Sequence, residues 1–415
     1  MPVPSQSKPR QHVLIIGYVW PEPNSSAAGS RMMALIDSFL AQQWQVTFAS
    51  PALLSEHRAD LVGLGIKEAS IELNNSSFDA FISDLQPDIV MFDRFMMEEQ
   101  FGWRVEKYCP DALRILDMED AHFLRQARQQ AFKKQQTVAP EDLHTELAIR
   151  EIASIHRCDI TLVISTFEMA LLQNQFSIPA NILHYCPFML DGIHQDNPEF
   201  EQRQHFISIG NFRHDPNWDA VLWLKQQIWP LIRKQLPQAE LHIYGAYPPK
   251  KATDLHNPKQ GFLVKGWVPD AKIVMQQARI CLAPLRFGAG LKGKLADAMQ
   301  CGTPNITTGV GAEGFVEQGH WSGTIANQAE TFANAAVELY NNQSQWQLFQ
   351  QTGYRIIEQQ FAKSPIQQKL IQQIRHLVEN ITEHRRSHFT GMMLRHHSMK
   401  STQYMAQWIE AKNSK

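Results

Sequence analysis

Charge of one sign, paired cysteines and long apolar runs are all scarce in this chain. Lysine and arginine total 39 against 41 aspartates and glutamates over 415 residues, a formal charge of -2. No general field therefore draws the protein to nucleic acid or to an anionic membrane, and any such partner has to be met locally. The five cysteines, Cys109, Cys158, Cys186, Cys281 and Cys301, form no C-x-x-C pair and mostly stand in or beside apolar runs. Reduced, buried thiols of this kind point to the cytoplasm. No apolar stretch reaches the length of a transmembrane helix. Lys8 and Arg10 ahead of His12-Val-Leu-Ile-Ile-Gly17 imitate a secretion signal, but the run is short and Pro21 and Pro23 follow it. A buried first strand explains it better. The loop after that strand lacks G-x-G-x-x-G, which disfavours a nicotinamide dehydrogenase. No Asp-x-Asp triplet occurs, so the usual cue for a metal-chelated diphosphate is missing, and there is no internal repeat.

What is present is an ordinary globular composition, 44% hydrophobic and 19% charged, on a chain too long for one core. Short apolar runs alternate with helical patterns, the signature of parallel sheets covered by helices. Strands are predicted at 13–17, 45–49, 88–92, 114–117, 159–164 and 181–184, with helices at 29–42, 78–85 and 143–156. Periodicity stops over 187–203, which reads as a linker. A second series follows: strands 206–210, 240–244, 262–265, 280–284 and 305–308, with helices 218–234, 271–278 and 291–301. Helical text then closes the chain from 330 to 340, from 344 to 360, and from 366 onward with a break near Thr390-Gly391. Two doubly wound domains in series favour a ligand between them, at the carboxyl ends of the strands.

The densest chemistry lies in Pro284-Leu-Arg-Phe-Gly-Ala-Gly-Leu-Lys-Gly-Lys-Leu-Ala-Asp-Ala-Met-Gln-Cys-Gly-Thr-Pro304. A strand runs into a loop with Gly288 and Gly290, and the helix after it places Lys292 and Lys294 in its first turn. Cations are unfavourable beside the unpaired amides of a helix N-terminus unless an anion sits between them. A phosphate removes the conflict. Asp297, three residues after Lys294, shares its face and can accept hydrogen bonds from hydroxyls. Cations for a diphosphate beside an acceptor for a ribose suggest a sugar nucleotide.

This motif, with Thr307-Thr-Gly-Val-Gly-Ala-Glu-Gly314, resembles the donor half of GT-B glycosyltransferases of family 4, the glycosyl transferases group 1. Ser208-Ile-Gly-Asn-Phe-Arg-His-Asp-Pro-Asn-Trp-Asp219 and Ile228-Trp-Pro230 resemble the family's opening of that domain. In the first half, Trp20-Pro-Glu-Pro-Asn-Ser-Ser-Ala-Ala-Gly-Ser-Arg31 resembles the loop after strand one, and Leu116-Asp-Met-Glu-Asp-Ala-His-Phe-Leu-Arg125 the segment Asp-x-x-Asp-x-His-x-Leu-Arg. The resemblance implies an α/β GT-B fold: two Rossmann-like domains facing across a cleft, an acceptor-side domain over 1–195, a nucleotide-sugar domain over 204–380, and a segment 381–415 returning to pack on the first. It also implies a retaining hexosyltransferase, working by front-face departure and attack, with a nucleotide-diphosphate sugar as co-substrate and no cofactor or metal. Lys294 would contact the diphosphate with Arg213 and Lys292, and Asp297 the ribose. Gly288, Gly290, Glu313 and Gly314 would line the donor site, and Gly29 the opposite side. His122, with Asp120 and Lys294, would be catalytic. The chain departs from the family in carrying Ala289 where many relatives have a glutamate touching the donor sugar.

The acceptor stays open among saccharide, lipid, protein and other biopolymers, as does peripheral membrane contact. A sugar-nucleotide epimerase or a non-catalytic sugar-nucleotide-binding protein of the same fold are the rival readings. Glu119 and Asp120, being adjacent, read as a solvated turn rather than an acid pair. His384, His388, His396 and His397 lack a carboxylate or cysteine at ligand spacing and are interleaved with arginines, against a metal site. The spacing of 94–103 suits a helix packing inward.

Overall fold

The computed structural model describes residues 11–193, 196–315 and 320–413. Lys8, Arg10, residues 194–195 of the expected linker and the side chain of His397 lie outside the described residues. The chain builds two parallel sheets. The first holds β1 (His12–Ile16), β2 (Gln45–Ser50), β3 (Lys67–Ser70), β4 (Ile89–Asp93), β5 (Leu113–Asp117), β6 (Ile160–Val163) and β7 (Leu183–Tyr185), in the order β3-β2-β1-β4-β5-β6-β7. The second holds β8 (Gln204–Ile209), β9 (Leu241–Tyr244), β10 (Phe262–Gly266), β11 (Ala278–Ala283), β12 (Asn305–Thr307) and β13 (Gly323–Ile325), in the order β10-β9-β8-β11-β12-β13. Val13, Leu14, Ile15 and Ile16 are wholly buried, which is why β1 reads as a continuous apolar run: helices cover both faces of the sheet. Both orders reverse direction once, between β1 and β4 and between β8 and β11. Crevices open at the carboxyl ends of strands at such points.

The sequence reading missed β3 and β13. Neither is an apolar run, since Lys67-Glu-Ala-Ser70 and Gly323-Thr-Ile325 are edge strands and largely polar. The helix expected over 218–234 runs from Asp215 to Gln235 with a wide π turn at Leu224–Ile228, just ahead of Pro230, which has no N–H to offer a regular helix. The expected linker is firmly seated at its ends: Phe188 and Met189 are buried, and the wholly buried Arg203 donates to the carbonyls of Pro198 and Cys301.

The return to the first domain begins one helix earlier than expected. Helix Lys363–Glu379 places Leu370, Ile371, Ile374 and Leu377 in the first domain's core, against helix Ala27–Leu40. Its apolar residues recur at helical spacing, and only a partner surface could show which domain they face. Helices Ile381–Ser387 and Phe389–Asn413 continue across the first domain, where Arg385 forks onto Asp159 at 2.7 and 2.8 Å. The break falls at His388, not at Gly391, which lies inside the last helix and packs without a side chain on the carbonyl of His156. His384 bonds the Asp159 carbonyl and His388 stacks on His156. Among the described residues, no group of three or more metal-ligating side chains converges, and no helix is long and apolar enough to cross a membrane.

Candidate active site between the domains

The second domain's wall is built from the ends of β8 and β11. Helix Gly293–Gln300 begins there with no side chain capping its amides. Lys294 stands in its first turn, half-buried, with Nζ 2.8 Å from Asn217 Oδ1, and burial pushes its ammonium down to about 8. A side chain at Gly210 would meet Lys294 Nζ at 2.7 Å, so this lysine can lie over the end of β8 only because position 210 is glycine. The side chain of Asp297, one turn on, accepts no hydrogen bond from the described residues, and burial, with Asp270 nearby, raises its carboxyl to about 6. Arg213 follows β8, exposed, its guanidinium 3.6 Å over the Tyr247 ring.

Lys292 departs from the expectation. It is the residue preceding the helix, only 8% exposed, and its Nζ turns back to the carbonyl of Gly290 at 2.6 Å. Burial lowers it to about 8, while Glu313 and Glu168 oppose that shift. It braces the loop instead of facing the open cleft.

On the first domain's wall, register pairs Asp93 with Asp117 at the ends of β4 and β5. The chain then turns through Arg94 (φ 71°) and Glu119 (φ 62°), both in the left-handed region that side chains disfavour. Such strain concentrates where the surrounding structure and function demand it. Glu119 is 9% exposed and burial raises it to about 8, so the expectation of a solvated turn fails: the end of β5 faces the other domain rather than water. Asp120 is gripped by Arg125 at 2.7 and 2.9 Å; burial works to raise it, and Arg125 with His122 holds it below its ordinary value nonetheless. His122 opens helix His122–Lys133, its Nε2 3.4 Å from Asp120 Oδ1 and its ring edge-on to Phe95. Burial pushes it down to about 4, so the imidazole is neutral at physiological pH. The amides of His122 and Phe123 donate to Glu151 at 3.1 and 3.0 Å, so a buried carboxyl group already closes this helix mouth.

The two walls touch. Arg128 donates to both oxygens of Glu313, at 2.8 and 2.7 Å, and to the Gly288 carbonyl at 2.9 Å. Tyr247 donates to Glu22, Trp267 to the Asn24 carbonyl, and His57 stacks on Trp267 at 4.4 Å. Glu313 is thus engaged by the first domain, and Gly314 (φ 82°) packs against Ser165, where a side chain would come within 2.9 Å. Gly288 (φ 144°) is buried, with Lys292 and Pro216 at ordinary contact distance from where a side chain would start, whereas Gly290 (φ 64°) lies tightly against Asp120. Gly29 is buried in the first turn of helix Ala27–Leu40, where its N–H donates to Ser26 Oγ at 3.0 Å and a side chain would strike the backbone of Glu22. The residue of that turn that meets the second domain is Ala27, against Gly293.

Sequence reasoning missed Asn217, Arg128, Glu151 and Glu168. Only Glu168 carries a local signal, Ser165-x-x-Glu168, the pattern of a capping box at helix Thr166–Phe176. Half of that pattern forms, with Ser165 Oγ accepting the Glu168 N–H at 3.1 Å, but the carboxylate reaches elsewhere.

Residues 203–342 match the family model described as Glycosyl transferases group 1, the stretch that carries Arg213, Lys294, Asp297 and Glu313. No curated protein sequence matches the chain. Among solved structures, it is similar to sucrose-phosphate synthase from Thermosynechococcus elongatus, at 16% identity and a TM-score of 0.67 over 89% of this chain and 99% of that one. It is similar to Anabaena HepE in complex with UDP and glucose, at 11% identity and a TM-score of 0.65 over 88% and 99%. It is also similar to an S. aureus TarM variant in complex with fondaparinux, alpha-GlcNAc-glycerol and UDP, at 13% identity and a TM-score of 0.57 over 71% and 57%. Two parallel-sheet domains facing across a cleft, with a C-terminal helix returning to the first, make this the GT-B fold, and its second domain is the part that matches glycosyl transferases group 1.

Proposed function

We propose that the protein is a retaining glycosyltransferase of family 4 that moves a hexosyl group from a nucleotide-diphosphate sugar to an acceptor, with no cofactor and no metal ion. The observation that carries this reading is the uncapped mouth of helix Gly293–Gln300 with Lys294 inside it and, one turn on, an Asp297 side chain that accepts no hydrogen bond from the described residues. Those amides and that ammonium suit a diphosphate, and Asp297 suits the ribose hydroxyls. Arg213 adds a second cation from the end of β8. HepE and the TarM variant were solved with UDP, which makes UDP-sugars the first donors to try.

Charge grows on the departing diphosphate as the glycosidic bond breaks, and Lys294, Arg213 and the helix amides supply a fixed positive field there. His122 is neutral and lies across the cleft with Asp120 and Glu119, a polar floor able to bond the hydroxyls of the transferred sugar and of the acceptor. Retention follows if the acceptor attacks from the face the diphosphate leaves, and no enzyme nucleophile is then required. The buried free thiols suit a cytoplasmic site of action. Isothermal titration with UDP, GDP and NAD tests the reading: UDP or GDP should bind and NAD should not. Turnover should persist in EDTA. Binding of NAD alone, or activity abolished by EDTA and restored by manganese, would overturn it.

A further inference from the structure

We propose that Glu168 is a positioning residue that seats the loop 284–294 against the first domain for transfer, an inference that rests on the donor reading above. Its carboxylate is wholly buried at the seam between the domains. One oxygen, Oε1, accepts the Ala121 N–H of the first domain at 3.0 Å and the Gly290 N–H of the second at 2.9 Å. The other, Oε2, has no hydrogen-bond partner among the described residues.

Both amides sit where the two walls are most functional. Ala121 precedes His122, and Gly290 lies between Gly288 and the bracing Lys292. Since Lys292 Nζ holds the Gly290 carbonyl, the residue is gripped at its N–H from the first domain and at its C=O from its own loop. Gly290 has φ 64° and lies so close to Asp120 that a side chain would come within 2.8 Å. The loop therefore has one seated position.

Helix stability does not explain Glu168. Ser165 already caps helix Thr166–Phe176, and a carboxyl group in a dry seam, even with Lys292 nearby, is unfavourable unless its hydrogen bonds are worth keeping. The other polar contacts across the cleft use partly exposed groups, such as Arg128 and Glu313, both 16% exposed, which water can replace. Opening the cleft would break the bond to Gly290 and wet a buried carboxylate, so the contact exists only when the loop is seated. A shift of about 1 Å in such a loop is enough to slow a reaction on the order of 100-fold.

Three full-length proteins decide it: wild type, Glu168→Ala and Glu168→Gln. The glutamine oxygen can still accept both amides. Hydrogen–deuterium exchange should accelerate about tenfold in Glu168→Ala at 284–294 and 119–123, and stay within about threefold of wild type in Glu168→Gln. UDP affinity should change less than about threefold in both, while release of UDP from UDP-glucose slows about 10- to 100-fold in Glu168→Ala alone. Unchanged exchange in Glu168→Ala, or equal losses in the two variants, would overturn the positioning role. So would acceleration spread over the whole first domain, which would mark Glu168 as a fold residue. Failure of both UDP and GDP to bind the wild type would instead sink the donor reading, because the exchange experiment needs no ligand.

Discussion

Two helices begin at the seam, one in each domain, and their mouths are prepared in opposite ways. At His122–Lys133, the carboxyl group of Glu151 accepts two amides and closes the mouth. At Gly293–Gln300 no side chain caps the amides, and a lysine stands in the first turn. Both helices follow a strand end at the same interface, and both concentrate partial positive charge there. The first has its hydrogen-bond acceptor built in, a carboxyl group that burial raises to about 8, and is finished as a piece of structure. The second is left without one, and it is that unfinished state, more than the presence of a helix or of a lysine, on which the proposed donor site rests.

Replacing the lysine should give the largest effect. In Lys294→Ala the diphosphate loses a cation that acts most strongly as charge develops, so turnover should fall about 30- to 1000-fold, the equivalent of about 2–4 kcal/mol. Circular dichroism should show an unchanged fold. Near-wild-type turnover in a folded variant would mean that the open mouth is not where the diphosphate sits, and the contrast between the mouths would lose its functional meaning.

Asp297→Ala should act on binding instead. Ribose hydroxyls do not change during transfer, so donor affinity should weaken by about 1–3 kcal/mol while turnover at saturation stays close to wild type. Calorimetry with UDP and steady-state kinetics separate the two; a loss confined to turnover would reassign Asp297 to the chemistry.

The smallest effect is a pH dependence that the two mouths should show in different assays. Lys294 is lowered to about 8, and a bound diphosphate would raise it again. UDP affinity should therefore be full below pH 8 and fall by up to about tenfold per unit as pH rises above it. Glu151 is shifted the other way, from 4.5 up to about 8, chiefly by burial. The folded protein keeps a proton that the unfolded chain releases, so this group's contribution to stability is present below pH 4.5 and is lost as pH rises from there through 8. Glu151→Gln has no such proton, and its stability relative to wild type should climb across that window in urea titrations. A constant difference would mean that Glu151 is ionised in the fold and caps its helix as a full charge.

How much of this was legible beforehand depended on the range of the interaction. Lys294, Asp297 and the glycines around them stand within a single turn and loop, so their spacing along the chain already reported their shared face. Glu168 and Gly290 are 122 residues apart, and Arg128 and Glu313 are 185 apart, and nothing in either partner's neighbourhood announces the other. Lys292 shows the same limit at close quarters: two residues from Lys294, it looked equivalent, yet Glu168 and Glu313 from the surrounding seam favour its charge there, and it turns inward.

The amino-acid sequence by itself determined the two series of strands and helices, the strand ends at which a ligand site belongs, and the lysine–aspartate pair on one helix face. These follow from hydrophobic period, glycine and proline punctuation and helical geometry, all of which act over a few residues. Only the tertiary structure decided which helix mouth was closed and which left open, which domain helix Lys363–Glu379 joined, and which carboxylates were dry. Burial and hydrogen bonding between distant segments set those outcomes, and they depend on where the chain's surfaces meet, which no local pattern records.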